Sequence, residues 1–372
     1  MIIQGDNMKI MPTLDAESFH TCVTSPPYWG LRDYGIPPSD WPEVTYTPMP
    51  GLPPLTVPPW TGCLGLEPTP EMFVAHNLVV FREVWRLLRD DGTLWLNFGD
   101  AYATAGYKTH SSNSDVSGWD SDRRGQSVAK TAVSGIKVKD LLGIPWRVVF
   151  ALQADGWYVR SDIIWAKPNP MPESTKDRPT KAHEYMFLLS KSDRYYYDQE
   201  AIKEPGVQDE WANGFRGGAY VADNTFDNQE GGKRKTRGNI RVGNEGARKV
   251  IKANSFARRV KDSPPPGQPS QHRLDRKDIE YKGMRNKRSV WTVATQPFPE
   301  AHFATFPERL IEPCILAGAP VGGRVLDPFG GSGTTLKVAQ KNNRECTIIE
   351  IGPHYVDIAK RRTAIIQPVL NI

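Results

Sequence analysis

The feature that most constrains the fold lies near the end of the chain, where Arg324-Val325-Leu326-Asp327 leads into Pro328-Phe329-Gly330-Gly331-Ser332-Gly333-Thr334-Thr335. A short apolar run ending at an acid, followed by closely spaced glycines and a helical period, reads as strand, turn, helix. Glycines at these positions let the backbone approach a ligand, and a Cβ there is expected to collide with it. Glu345 to Ile349 and His354 to Arg362 read as a further strand and helix, completing a β-α-β-α unit, the usual carrier of an adenosine site. Glu350 follows Asp327 by 23 residues, at a strand end where a carboxylate can accept from both ribose hydroxyls. The loop lacks the Gly-Lys-Ser/Thr ending of a phosphate-binding loop and the third glycine of a nicotinamide fingerprint.

A second constrained stretch sits near the start. Phe19 to Thr24 is an apolar run that stops at Ser25-Pro26-Pro27-Tyr28, as a buried strand does on entering a loop. Paired prolines fix the local geometry, so Ser25 Oγ and the Pro26 carbonyl can serve as outward acceptors beside the ring of Tyr28. An exocyclic nucleobase amine is a poor nucleophile because its lone pair is conjugated into the ring. Two acceptors aimed at its hydrogens favour a pyramidal nitrogen, free for in-line attack on an activated methyl group. The two motifs together predict methyl transfer to a nucleobase amine, with Ser25, Pro26, Pro27 and Tyr28 as the catalytic elbow. Tyr28 would stack on a base extruded from the duplex, and Trp29 would add a wall.

Gly35 to Pro59 carries nine prolines and is expected to be an irregular surface excursion. Glu71 to Leu88 has helical spacing, with Asp90-Asp91-Gly92 expected to break it before a strand over Thr93 to Phe98. Ala103 to Gly135, rich in Ser, Gly and charge, is expected to be mobile. Leu141 to Ala154 reads as a helix, Trp157 to Trp165 and Tyr185 to Leu189 as strands, and Pro307 to Leu316 as a helix. From Ala201 to Val290 the aliphatic content collapses. Between Gly231 and Val290 stand eighteen Lys and Arg against five Asp and Glu, a local charge of +13 in a chain of net +5. That asymmetry suits a nucleic-acid contact grafted on a neutral-to-acidic body, the plainer alternative being a solvated basic loop. Lys233, Arg234, Lys235 and Arg237 form the candidate DNA-contacting cluster. The expected division is a catalytic domain over 1–200 and 291–372, with a basic insertion over 201–290.

The 372 residues, 39% hydrophobic and 24% charged, can bury a core. Cys22, Cys63, Cys314 and Cys346 include no CxxC pair, so neither a zinc site nor a disulfide framework is expected. His183-Glu184 would point to opposite faces of a strand and makes no metal pair. Cys314 is expected in the core rather than as a nucleophile. With no basic-then-apolar leader and no run of membrane-spanning length, a soluble cytoplasmic protein is expected.

These residues resemble the amino-group DNA methyltransferases that use S-adenosylmethionine, in particular the beta group, whose catalytic motif precedes the cofactor motif. The resemblance covers most of residues 1–200 and 290–372, and extends to Ile3-Gln4-Gly5-Asp6, Leu142 to Arg147, Trp165 to Pro170 and Ala301 to Pro307. It implies an α/β, Rossmann-like methyltransferase fold with a mostly parallel central sheet, a circularly permuted motif order and an inserted irregular target-recognition region. It implies a cofactor site with Asp6 near the adenine and His302, Phe303 and Phe306 along the methionine end. Asp327, Phe329, Gly330, Gly331, Ser332, Gly333, Thr334 and Glu350 would complete it. In that family Ser before Pro-Pro-Tyr accompanies N4-cytosine methylation and Asp accompanies N6-adenine methylation. The implied substrate is therefore the N4 amine of a flipped cytosine in double-stranded DNA, with a cognate restriction endonuclease as the implied partner. N6-adenine methylation, an RNA or protein-amide substrate, and an inactive DNA-binding module are the competing readings. Several members carry an acid on the strand after the catalytic helix. Here Asn97 aligns with it, leaving Asp100 as a candidate base or a plain strand-end polar residue.

Overall fold

Apolar residues alternate between two faces along each central strand, and each face is covered by helices. The computed structural model describes residues 1–30, 35–103, 136–205, 215–216, 219–220, 284–296 and 306–364. Eight strands form one sheet: β1 (Ile2–Gln4), β2 (Phe19–Thr24), β3 (Leu88–Phe98), β4 (Tyr158–Ala166), β5 (His183–Ser190), β6 (Val290–Thr292), β7 (Arg324–Asp327) and β8 (Glu345–Glu350). Their spatial order is β1-β8-β7-β2-β3-β5-β4-β6. All run parallel apart from β5, which is antiparallel to both neighbours. The helices are α1 (Asn7–Ile10), α2 (Pro70–Leu87), α3 (Ile144–Ala154), α4 (Glu308–Gly318), α5 (Thr334–Lys341) and α6 (Pro353–Thr363).

Cys22, Leu94, Leu96, Phe98, Leu326 and Ile349 face one core, shared with Phe73, Leu78 and Phe81 of α2 and Val148 and Leu152 of α3. Val23, Trp95, Val325 and Ile348, each offset by one position, face the other, shared with Leu310, Ile311 and Cys314 of α4 and Leu336 of α5. This is the two-residue period of a sheet buried on both sides. The result is the expected α/β fold with a mostly parallel sheet. Cys314 is fully buried, and burial pushes its thiol far above its ordinary pKa.

Two local readings are corrected. Helix α2 starts where Thr69 Oγ1 accepts the Met72 N–H at 3.2 Å and Pro70 fills a first-turn position that needs no N–H. It ends without the expected Asp90-Asp91-Gly92 break, because β3 begins at Leu88. Phe19 pairs with Leu88 and Thr21 with Thr93, so the intervening residues form an irregularity inside one strand. The proline-rich Gly35 to Pro59 segment is also regular in part. Ser39–Trp41 pairs with Trp60–Gly62, and Val44–Tyr46 with Leu55–Val57. Every proline of the segment falls outside these short strands, so their ladder N–H groups survive. Trp41, Val44, Tyr46 and Val57 are buried in the same core as the apolar face of α2.

The chain divides into two units, Met1–Ile202 with Lys287–Ile372, and Lys203–Asn286. The described part of the second unit consists of two short antiparallel pairs, Glu204–Pro205 with Met284–Arg285 and Phe215–Arg216 with Ala219–Tyr220. Residues 104–135, where mobility is expected, lie outside the described residues. Among the described residues no helix is long and apolar enough to cross a membrane.

Candidate active site

Strands β2 and β7 are parallel neighbours from which the chain departs in opposite directions. From β2 it passes through α2 to β3, and from β7 through α5 to β8, with α2 and α5 on opposite faces. Such a switch point opens a crevice beyond the C-terminal strand ends. Ser25 follows β2 at one lip and Pro328 follows β7 at the other. Between them Thr24 Oγ1 donates to Asp327 Oδ1 at 2.7 Å, Thr335 Oγ1 donates to Oδ2 at 2.6 Å, and the Phe329 N–H donates to Oδ1 at 3.0 Å. Asp327 is only 1% exposed, and burial holds its carboxyl above the ordinary aspartate pKa in spite of three donors. Expected among the cofactor contacts, Asp327 faces inward and ties the two lips together.

The glycines of the loop are demanded largely by the protein itself. A Cβ on Gly330 would lie 2.8 Å from Ile348 Cβ, and one on Gly333 would lie 2.8 Å from Ala359 Cβ. Collision with a ligand was the expectation; at these two positions the obstacle is β8 and α6. Gly333 also adopts φ +79° as the residue preceding α5. Gly331, at φ +50°, is different, since a Cβ there would find nothing nearer than Phe329 O at 3.9 Å. Ser332 and Thr334 are buried and face Arg362 of α6, whose Nη1 donates to Ser332 Oγ at 2.6 Å and Thr334 Oγ1 at 3.1 Å. No motif announced Arg362.

Glu350 Oε2 accepts the Gly331 N–H at 2.8 Å and Oε1 the Gly352 N–H at 2.7 Å. Burial nevertheless raises its carboxyl above the ordinary glutamate pKa. Each oxygen keeps a second lone pair, so ligand hydroxyls can still be accepted. Asp6 Oδ1 caps α1 through the Met8 N–H at 3.0 Å, and its Oδ2 accepts from Ser39 Oγ at 2.8 Å. Asn7 Nδ2 reaches Pro328 O at 3.1 Å, which brings the Asp6 turn to the glycine loop. Asp6, Phe329, Gly331 and Glu350 are the half-buried members of this set. Two carboxylates, an aromatic ring and an open backbone approach fit an adenosyl group. Phe306 is half-buried against the second core. His302 and Phe303 lie outside the described residues, as do Lys233, Arg234, Lys235 and Arg237.

In the elbow, Pro26 is buried while Ser25, Pro27 and Tyr28 are half-buried. Trp29, expected as a wall, is 5% exposed and turned inward, its Nε1 donating to Glu67 O at 2.9 Å. Gly30 N–H donates to Gly65 O at 2.7 Å. The Glu67 carboxylate accepts from the Gly65 N–H at 2.8 Å and lies 2.9 Å from His76 Nδ1. His76 is stacked between Trp41 and Trp60, with ring centroids at 4.5 and 5.6 Å. The proline-rich segment, for which the sequence suggested no role, therefore backs the elbow. Tyr28 OH lies 2.8 Å from Glu184 Oε2 and 3.1 Å from Asn97 Oδ1. Asp100, the candidate base, accepts the N–H groups of Ala101 at 2.8 Å and of Gly143 and Ile144 at 3.1 Å each. It caps α3 from across the chain, and its lone pairs face that helix end.

The sequence pattern of the DNA methylase family matches residues 19–361. The chain is 38% identical over 363 residues to the Type II methyltransferase M.Cfr9I of Citrobacter freundii, covering 97% of this chain and 86% of that protein. It is 37% identical over 361 residues to the Type II methyltransferase M.SmaI of Serratia marcescens, covering 97% and 89%. In fold it is similar to the PvuII DNA methyltransferase (cytosine-N4-specific), with a TM-score of 0.53 at 16% identity, covering 100% of this chain and 87% of that one. The crevice at the switch point, its glycine loop and its proline elbow thus sit in a chain that belongs to the DNA methylase family of S-adenosylmethionine-dependent N6/N4 methyltransferases.

Proposed function

We propose that this chain methylates the N4 amine of a cytosine swung out of double-stranded DNA. The observation that carries the reading is the 2.7 Å hydrogen bond from Thr24 to Asp327, which couples the residue before Ser25 to the strand end that opens the glycine loop. It supports one site in which methyl donor and target base meet. Asp6, Phe329, Gly331 and Glu350 would hold S-adenosylmethionine, with Glu350 accepting from its ribose hydroxyls. When bound, that cofactor supplies a methyl group activated on a sulfonium. Ser25 Oγ and the Pro26 carbonyl accept the hydrogens of the target amine and turn its lone pair toward the methyl group. Tyr28 stacks on the extruded base and offsets part of the unstacking cost.

Ser25 ahead of Pro-Pro-Tyr supports cytosine, and the basic Gly231 to Val290 stretch supports a DNA substrate. Residues 201–290 are accordingly read as the target-recognition insertion. The Type II names of M.Cfr9I and M.SmaI support a modification role beside a nuclease of the same specificity. Adenine N6 is the second reading, because the family spans both amines. Nucleoside mass spectrometry of duplex DNA methylated by the purified chain tests the proposal. N4-methylcytosine is expected; N6-methyladenine alone would reverse the base, and cofactor binding without any methylation would favour an inactive binding module.

A further inference from the structure

The hydroxyl of Tyr28 is held by residues of two neighbouring strands, with a lysine from the end of a third behind them. Asn97 lies near the end of β3 and Glu184 near the start of β5, its antiparallel neighbour. Lys167 follows the last residue of β4, the other neighbour of β5. A tyrosine hydroxyl has one proton to donate, and here it meets two acceptor oxygens, Glu184 Oε2 at 2.8 Å and Asn97 Oδ1 at 3.1 Å. The Asn97 amide is oriented by its own Nδ2, which donates to Tyr185 O at 2.9 Å, so its oxygen is the atom that faces Tyr28. The carboxylate is the nearer and the charged acceptor, and charge-assisted hydrogen bonds are the stronger ones.

Glu184 is itself secured. Its other oxygen pairs with Lys167, both side chains being less than one fifth exposed, and the Lys167 ammonium sits 4.3 Å from the centre of the Trp165 ring. A partly buried ion pair contributes little net stability once desolvation is counted. Its value here lies in orientation. The ring of Tyr28 has a shaped seat at the same place, since a Cβ on Gly99 would lie 2.6 Å from Tyr28 Cε2.

We infer that Glu184 is a positioning residue that sets the ring of Tyr28 through its hydroxyl, with Lys167 holding the carboxylate in place and Gly99 providing the seat. The inference rests on the reading of Tyr28 as the stacking platform for the extruded base. A ring fixed before the base arrives loses no further freedom on docking, which favours the reactive arrangement over the merely bound one.

The test is the single-turnover methylation rate at saturating cofactor for Tyr28→Ala, Tyr28→Phe, Glu184→Ala, Glu184→Gln and the pair Tyr28→Phe with Glu184→Ala, alongside cofactor Kd. Tyr28→Phe and Glu184→Ala are each expected to slow transfer by about ten- to a hundredfold, the range of a hydrogen bond to a charged group, with cofactor Kd unchanged. The double variant should be no slower than the slower single one, and Glu184→Gln, which keeps an acceptor and loses the charge, should fall between. A purely structural Glu184 would instead weaken cofactor binding too and multiply its loss with that of Tyr28→Phe, and either result overturns the inference. Should Glu184→Ala fail to fold, wild-type rates in both Tyr28→Phe and Glu184→Gln overturn it equally. Full activity in Tyr28→Ala would remove the stacking role and this inference with it. An inactive Tyr28→Ala beside a fully active Glu184→Ala would sink the role of Glu184 alone.

Discussion

Thr24 Oγ1 donates to Asp327 Oδ1 at 2.7 Å across 303 residues of sequence, joining the last residue of β2 to the last residue of β7. The same carboxylate receives the Thr335 hydroxyl in the first turn of α5 and the Phe329 N–H inside the glycine loop. One buried acid therefore ties together the two loops to which methyl transfer is assigned in the proposed function. Because it is buried, its charge is tolerated only while these donors are present.

Thr24→Val removes one donor without changing the shape of the side chain. The variant is expected to lose about 1–3 kcal/mol of stability, the cost of a buried polar group deprived of a partner. Thr24→Ser should stay near wild type. Urea unfolding of the three proteins measures the difference, and equal midpoints would show that the tie carries no energy.

The loop glycines should separate by role. Gly333→Ala places a Cβ 2.8 Å from Ala359 Cβ, at a φ of +79°, and overpacking of that kind costs about 1–3 kcal/mol in addition to the backbone strain. Gly331→Ala meets open space and should lose less stability, yet lose more cofactor affinity. Thermal unfolding and calorimetric titration of both variants with S-adenosylmethionine check the crossing; a matched ranking in the two measurements would refute it.

Cofactor affinity should depend on pH through Glu350. Its carboxyl is raised above the ordinary glutamate pKa by burial, against the pull of the Gly352 and Gly331 N–H groups. In the proposed site the ionised form is the better acceptor for ribose hydroxyls, so a bound cofactor would lower that pKa. The sign follows: affinity is full above the raised pKa and is lost as pH falls through it, earlier than an ordinary glutamate would require. Titrations from neutral into acid pH should show this fall, and Glu350→Gln should bind more weakly with a flatter profile. An unchanged profile in the Gln variant would exclude Glu350 as the titrating contact.

Asp100→Ala should act as the loss of a helix cap. Stability is expected to drop by about 0.5–2 kcal/mol, while the methylation rate of the folded protein is retained. A folded Asp100→Ala protein with no measurable transfer would restore the general-base role.

Neutralising Lys233, Arg234, Lys235 and Arg237 together should weaken binding to any duplex and flatten its salt dependence. Each lost phosphate contact lowers the slope of log affinity against log salt by about 0.9. Filter binding across a salt series reads the slope directly, and an unaltered slope would dismiss the cluster as a DNA contact.

Local patterns were legible wherever the deciding interactions are near in sequence. The apolar run Phe19 to Thr24 is the strand Phe19–Thr24, and Arg324 to Asp327 is the strand Arg324–Asp327, because burial on both faces places apolar residues at consecutive positions, Cys22-Val23 and Val325-Leu326. The helix over Glu71 to Leu88 was legible from its period; its first residue, Pro70, came only with the structure, in which Thr69 caps it. Irregularity was wrongly expected from proline content at Gly35 to Pro59. Proline forbids a ladder N–H only at its own position, and the four short strands lie between the prolines.

In the crevice, the sequence by itself determined which chemistries were present: a proline elbow with a serine and a tyrosine, a glycine loop, and carboxylates at strand ends. Those are properties of covalent neighbours, and no tertiary contact is needed to specify them. Only the folded sheet decided their partners. It turned Asp327 inward to Thr24, bent Asp100 to the start of α3, brought Arg362 behind Ser332, and delivered Glu184 to the hydroxyl of Tyr28. These pairings depend on which strands lie side by side, and strand order is a nonlocal choice made by the burial of both faces of the sheet.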